Sequence, residues 1–201
     1  MKPDGNVAFK VTWVYGDKNR PFASACSPEG REINIRLLKK TWCSQPENRC
    51  RKAFDAGNRR PPVEATDSSI PCYDAMVFRW WAFASGWFHH GAKRGQPIPM
   101  KFVRPGKLAF LTSRNYEMAE ADRIVIGCYR ISDVYDEDGS VWADSEPGPD
   151  RIRVTDLSRA PRYWDYHRQA GGPRWGTGLF RYLPDAEAEL LVVAVQKAAN
   201  R

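Results

Sequence analysis

The chain has 201 residues, 42% of them hydrophobic, which suffices for the core of one domain or of one domain with a large insertion. Lys and Arg total 31 against 24 Asp and Glu, a net charge of +7 that favours a polyanionic partner such as nucleic acid without requiring one. No run approaches the roughly 20 apolar residues that a bilayer span needs, and Met1–Gly5 has no apolar signal region, so a cytoplasmic protein with no membrane partner is expected.

In chain order, Val7–Tyr15 reads as a strand ended by a turn over Gly16–Asn19, and Pro21–Arg31 as a loop. Ile33–Leu38 is a short apolar run that pattern does not assign. Ser44 followed by Glu47 forms a capping box with Pro46 in the first turn, which predicts a helix from Gln45 to about Ala56, stopped by Gly57. Trp42 would then lie just outside that helix, beside free backbone N–H groups.

Asn58–Ile70 is a polar connection. The aromatic-rich Tyr73–Phe88 is apolar on both faces, so it fits a buried helix or a strand with a turn at Gly86; its length favours the helix. His89–Pro97 reads as an exposed basic loop. Leu108–Leu111 and Ile124–Ile131, rich in β-favouring residues and separated by a polar loop, predict a buried antiparallel pair at the structural centre. Tyr135–Gly139 is an acidic turn, while Ser140–Ala143 and Arg151–Val154 are short strands. Ala160–Pro173 is irregular with one helical turn at most, and a helix opens at Leu183–Asp185 and runs to about Ala199. The expected class is α+β, a small curved sheet or barrel with flanking helices, forming one domain over 1–201 with an insertion at about 56–104.

Enzyme signatures are sparse. There is no Gly-x-Ser-x-Gly, no phosphate loop and no dinucleotide fingerprint. Gly171–Gly178 is glycine-rich but precedes Leu179–Phe180 rather than a phosphate-binding helix, so it reads as a tight loop docking Trp175 onto the core. The acids Asp136, Glu137 and Asp138 are out of register for a calcium loop. Five cysteines (Cys26, Cys43, Cys50, Cys72 and Cys128) without a secretion signal read as reduced thiols. Cys43, Cys50 and Cys72 lack the short Cys-x2–4-Cys hook of common zinc sites, so no metal and no cofactor is expected. Cys43 at a helix N-terminus would be a lowered-pKa thiol, but no local partner makes it a nucleophile.

Binding is the better supported chemistry. Eight tryptophans in a basic chain suit a pocket that stacks on bases. Arg49, Arg51, Lys52, Arg59, Arg60, Lys93, Arg94 and Arg114 would supply a basic rim around Trp42 for phosphates.

The stretch Thr41-Trp42-Cys43-Ser44-x-x-Glu47-Asn48-x-x-x-Lys52-Ala53-Phe54, with Ala109–Ser113 and Ile126–Ile131, resembles the YTH and EVE branches of the PUA-like superfamily. Trp175–Leu183 and Gly106–Thr112 are similar to N-terminal modules of bacterial modification-dependent restriction proteins that carry an HNH nuclease domain; no HNH signature is present in this chain. The resemblance implies a small barrel that flips a modified base of double-stranded DNA into an aromatic cage. Trp42 and Trp142 would be opposing walls, the backbone of Cys43 and Ser44 would read the base edge, and Trp80, Trp81 or Trp87 would supply a third wall. Arg114 or the His89–Arg94 loop would fill the gap in the duplex. Arg49, Lys52, Arg59, Lys93, Arg94 and Arg114 would hold the backbone. By the same likeness the chain is a binding module whose nuclease domain lies elsewhere in the full-length protein; a reader of modified RNA and a metal- or Cys-dependent nuclease are the alternatives.

Overall fold

The structure, a computed structural model, describes residues 3–16, 21–22, 26–57, 73–88, 91–137, 140–167, 171–176 and 178–200. The chain divides into two compact units, Met1–Val11 with Trp81–Arg201, and Thr12–Trp80.

The first unit is built on the predicted central pair. β3 (Leu108–Ser113) and β4 (Ile124–Arg130) are antiparallel, and β1 (Asn6–Lys10) runs parallel to β3 on its other side. With β7 (Ile152–Arg153) and β8 (Phe180–Leu183) they form a five-stranded sheet in the order β7-β4-β3-β1-β8. A second, three-stranded sheet has the order β2-β6-β5, from β2 (Ala82–Ala84), β5 (Asp133–Glu137) and β6 (Ser140–Asp144). The class is therefore mixed α+β with two sheets, and no closed barrel forms among the described residues.

Register explains why β4 reads as an unbroken apolar run. Leu111 faces Gly127 but Thr112 faces Val125, which leaves Ile126 as the extra residue of a bulge. The bulge resets the alternation, so Val125 and Cys128, three apart, share one face with Ala8, Phe110 and Leu183. That face is covered by α4 (Asp185–Ala199) through Ala188, Leu191 and Val195. On the opposite face Phe9 stacks on Phe83 of β2 with centroids 4.6 Å apart, and the buried Tyr129 donates its hydroxyl to Ala143 O of β6 at 2.8 Å. Both faces of β1, β3 and β4 are thus closed, which is what a strand without polar alternation requires.

The start of α4 is pinned to the sheet by Asn6, whose Nδ2 donates to Asp185 Oδ1 at 2.7 Å while its Oδ1 accepts the Leu108 N–H at 3.0 Å. Lys107 adds an ion pair to Asp185 at 2.7 Å.

The second unit is helical among its described residues. α1 (Pro28–Glu32) starts at Ser27, whose Oγ accepts the Gly30 N–H at 3.1 Å, and continues as a π-helical turn over Ile33–Leu37. α2 (Arg49–Asp55) and α3 (Tyr73–Trp80) complete it around Val14, Phe22, Ile35, Ala53, Met76 and Val77. Gly30 cannot be larger, since a Cβ there would lie 2.2 Å from Tyr15 Cβ.

Several expectations are corrected. β1 ends at Lys10, well before Tyr15; the chain leaves the sheet after Val11, whose N–H still reaches Thr112 O at 2.8 Å. Pro28–Glu32, expected within a loop, is helical because Ser27 caps it. The helix expected from Gln45 begins at Arg49. Gln45 precedes Pro46 and is disfavoured in helical geometry, and Asn48 takes the cap instead, its Oδ1 accepting the Cys50 N–H at 2.8 Å. Its end at Ala56–Gly57 is as expected, with Gly57 at φ +70. Tyr73–Phe88 is a helix followed by strand β2, and Trp81 at φ +52 breaks the two apart. Asp136 and Glu137 are strand residues of β5 rather than turn. β8, which pairs with β1 opposite Phe9, was no part of the sequence reading. The turn over 17–19 and the connection 58–70 lie outside the described residues.

Neighbouring leucines of α4 provide a check on this packing: Leu191 is fully buried and Leu190 is 65% exposed. Leu191→Ala should lower the unfolding free energy by about 2–5 kcal/mol and Leu190→Ala by less than about 0.5 kcal/mol, read from urea midpoints.

Candidate nucleic-acid interface

Residues 41–47 form a chain of turns rather than a helical first turn. Ser44 N–H bonds to Lys40 O at 2.9 Å, Gln45 N–H to Trp42 O at 3.3 Å and Asn48 N–H to Gln45 O at 3.0 Å. Ser44 Oγ does not cap α2 but donates to Ile35 O at 3.3 Å, which ties the turn to the preceding helical segment. Trp42, in this turn, has 40% of its surface exposed, close to the 38% of Trp80 at the end of α3. Because α2 starts at Arg49, Trp42 is not beside its free N–H groups, contrary to expectation.

Ser44 also lines a cleft of about 400 Å³ in the second unit, together with Ile35, Arg36, Lys39, Arg51 and Phe54. Arg36 lies over the Phe54 ring, its Cζ 4.8 Å from the centroid, and pairs with Glu32 at 3.2 Å. Arg51 is held by Asp55 at 2.7 Å. Of these cations only Arg51 belongs to the basic rim expected from sequence. Arg36 and Lys39 sit in the stretch whose type pattern did not assign, and only the turn of Ile33–Leu37 brings them beside Arg51.

The other predicted site residues divide between the two units. Lys52 is exposed on α2. Arg59 and the side chain of Arg49 lie outside the described residues. Trp87, Trp142, Lys93, Arg94 and Arg114 belong to the first unit. Trp142 is half-buried in β6 opposite Tyr135, and Trp87 is half-buried and bridges to Pro97. Lys93 and Arg94 are exposed on the loop after Phe88, with Lys93 Nζ 5.7 Å from the Phe88 centroid. Arg114 is turned into its own loop, where it donates to Glu120 Oε2 at 3.0 Å and Met118 O at 2.8 Å.

Glu120 is the centre of a cluster that the sequence analysis missed. It accepts from Arg123 at 2.6 and 2.9 Å, from Arg114, and from Trp164 Nε1 at 3.3 Å. Burial would raise its pKa, but hydrogen bonds and the charges of Arg123 and Arg114 hold the carboxyl below its ordinary value. Arg123, 2% exposed, lies 4.7 Å from the Trp175 ring, and Arg181 lies 5.5 Å from Trp164. Trp175 is docked as expected, its Nε1 donating to Gly178 O at 2.8 Å. This cluster is packed side chain against side chain and serves as a structural lock.

Among the described residues no three His, Cys, Asp or Glu side chains could hold a metal ion. Burial pushes the Cys26 thiol to about 11 and Cys43 to about 12, and it raises Cys50 as well. The lowered pKa that a helix N-terminus would give Cys43 is thus replaced by its opposite, and a nucleophilic Cys43 loses its physical basis. The described histidine, His167, pairs with Glu187 at 2.7 Å in the first unit.

No family model matches the chain, and neither does any curated protein or solved structure.

The thiols predict a pH dependence. Cys26 and Cys43 are raised from 9.0 to about 11 and about 12, and Cys128 to about 12, so the folded state holds their protons where the unfolded chain would release them. Their stabilisation should be complete below about pH 9 and fall as pH rises towards 11–12. Chemical denaturation followed across that range, with peptide-resolved alkylation at pH 8, should show declining stability and slow modification of all three.

Proposed function

We propose that the protein binds nucleic acid carrying a modified base, with DNA as the favoured substrate, and that Trp42 is the surface on which the base stacks. One observation carries the reading: an exposed Trp42 stands two residues from Ser44, which lines a cleft bearing Arg36, Lys39 and Arg51. An exposed aromatic ring on the same turn as a residue that lines a cleft of cations is the minimal equipment for holding a base and its phosphate together. The likeness of the Trp42–Phe54 stretch to PUA-like readers supports the same function and adds the idea of a partner HNH nuclease domain in the full-length protein.

The energetics are reasonable. Stacking on an aromatic side chain contributes about 1–3 kcal/mol per base. A methyl group adds roughly 0.8 kcal/mol at most, so discrimination demands close contact with the ring. Extracting a duplex base costs a few kcal/mol, which phosphate contacts offset. Trp142 and Trp87 belong to the first unit and are no part of this surface on the second.

The test is a panel of otherwise identical duplexes that are plain or contain N6-methyladenine or 5-methylcytosine, with matching RNA. Wild-type protein should prefer one modified DNA. Trp42→Ala should erase that preference and leave weak, salt-sensitive binding. An equal loss on plain and modified DNA would sink the modified-base reading, and tighter binding to the RNA set would redirect it to RNA.

A further inference from the structure

The cleft that Ser44 lines carries donors that define the anion it suits. Its lining carries three cations, Arg36, Lys39 and Arg51, against one carboxylate, Asp55. Among the described residues Glu32, the pairing partner of Arg36, is the other acid paired with this set, so positive charge remains in excess there. Phe54 and Ile35 give it an apolar floor.

The pairing leaves donors unspent. Asp55 engages Arg51 through Nε, at 2.9 and 2.7 Å, so the two terminal nitrogens of that guanidinium donate to no protein group among the described residues. Glu32 engages Arg36 through Nη1 at 3.2 Å, and the ring of Phe54 fixes the guanidinium plane. Each arginine is therefore oriented by a partner that uses only part of it, an arrangement that lowers the entropy lost when an anion binds.

Lys39 makes no hydrogen bond or ion pair among the described residues, and its φ of +46 is a left-handed conformation that L residues seldom adopt. Its neighbour Lys40 donates its N–H to Asn34 O at 2.8 Å, and Leu38 donates to Ile33 O at 2.8 Å, so hydrogen bonds on both sides hold the turn in which Lys39 reaches the cleft.

The geometry points to a phosphate seat formed by Lys39, Arg36 and Arg51, which takes a phosphate group of a polynucleotide backbone or of a free phosphate compound. The backbone as source rests on the nucleic-acid reading above; the seat itself does not. A tetrahedral anion accepts from several directions at once, which suits two guanidinium edges and an ammonium. Asp55, the one carboxylate in the lining, is engaged by Arg51 Nε and repels any anion, so the preference for phosphate over carboxylate rests on the tetrahedral arrangement of its acceptor oxygens, which a phosphodiester and a free phosphate share.

Two titrations test it on the full chain. In the first, inorganic phosphate is added while backbone amide resonances are followed; Lys39 and Ser44 should shift together and saturate, and Lys39→Gln should abolish the response. Lys39→Gly, which suits the left-handed backbone, should do the same without loss of fold. In the second, DNA affinity is measured against salt; Lys39→Gln and Arg51→Gln should each reduce the slope of log K against log salt by about 1 and weaken plain and modified DNA alike. Lys197→Gln, on exposed α4 surface, is the comparison and should change neither.

Wild-type protein that binds DNA, with cleft variants that retain its full affinity and slope, would overturn the seat; a modified-base preference still lost in Trp42→Ala would then keep the stacking surface without the cleft. Protein that binds no DNA but shows the phosphate response, lost in Lys39→Gln, would support the seat for a free phosphate compound and remove the reader. Absence of both responses would overturn the seat.

Discussion

The first unit depends on one constraint, the burial of β3 and β4 on both faces. A strand pair with no polar face must be covered twice, and the bulge at Ile126 decides how. It turns Val125 and Cys128 to the side of α4, while Tyr129 points the other way and bonds to Ala143 O. Without the extra residue one of those side chains would face the wrong layer, since a one-residue slip exchanges the faces of a strand. The remaining strands follow from this demand: β1 and β8 extend the sheet over α4, and β2, β5 and β6 supply the second layer.

Polar side chains then hold the layers in place where apolar packing does not specify direction. Asn6 bonds to both Leu108 and Asp185, so β1, β3 and the start of α4 are locked by one amide. Arg123 plays the same part at the other end of β4. Burying a guanidinium is costly unless its donors are met, and Glu120 together with the Trp175 face meets them. Such groups act less by adding stability than by making alternative packings expensive.

The second unit follows a different logic. Its described core is small, and short helical pieces are fixed by individual hydrogen bonds: Ser27 to Gly30, Asn48 to Cys50, Ser44 to Ile35 and Thr12 N–H to Asp74 at 3.0 Å. Short pieces joined by turns leave edges at which side chains stay exposed. Trp42 is exposed because its turn is not absorbed into α2, and Lys39 reaches the cleft because its backbone is left-handed. The features that spoil regular secondary structure here leave an indole exposed and bring Lys39 to the cleft that Arg36 and Arg51 line.

Much of this fold was legible from sequence where one local force dominated. Leu108–Leu111 and Ile124–Ile131 announced a buried pair because β-branched and aromatic side chains have few other ways to be hidden, and Asp185–Ala199 announced its helix through Pro184 and the acids after it. Trp175 was recognisable as a docked ring. Tertiary structure decided the rest, because the competing local signals were nearly equal. Ser44 and Asn48 are both good caps, and the pull of Ser44 towards Ile35 left the helix to Asn48. Tyr73–Phe88 is apolar throughout, so only the pairing of Phe83 with Ala143 makes its second half a strand. Arg36 and Lys39 have no pattern that marks them, since charges become a site only when a turn of backbone and a neighbouring helix place them around the same space. Sequence determines which side chains must be buried; which exposed ones meet is set by long-range contacts that no local window contains.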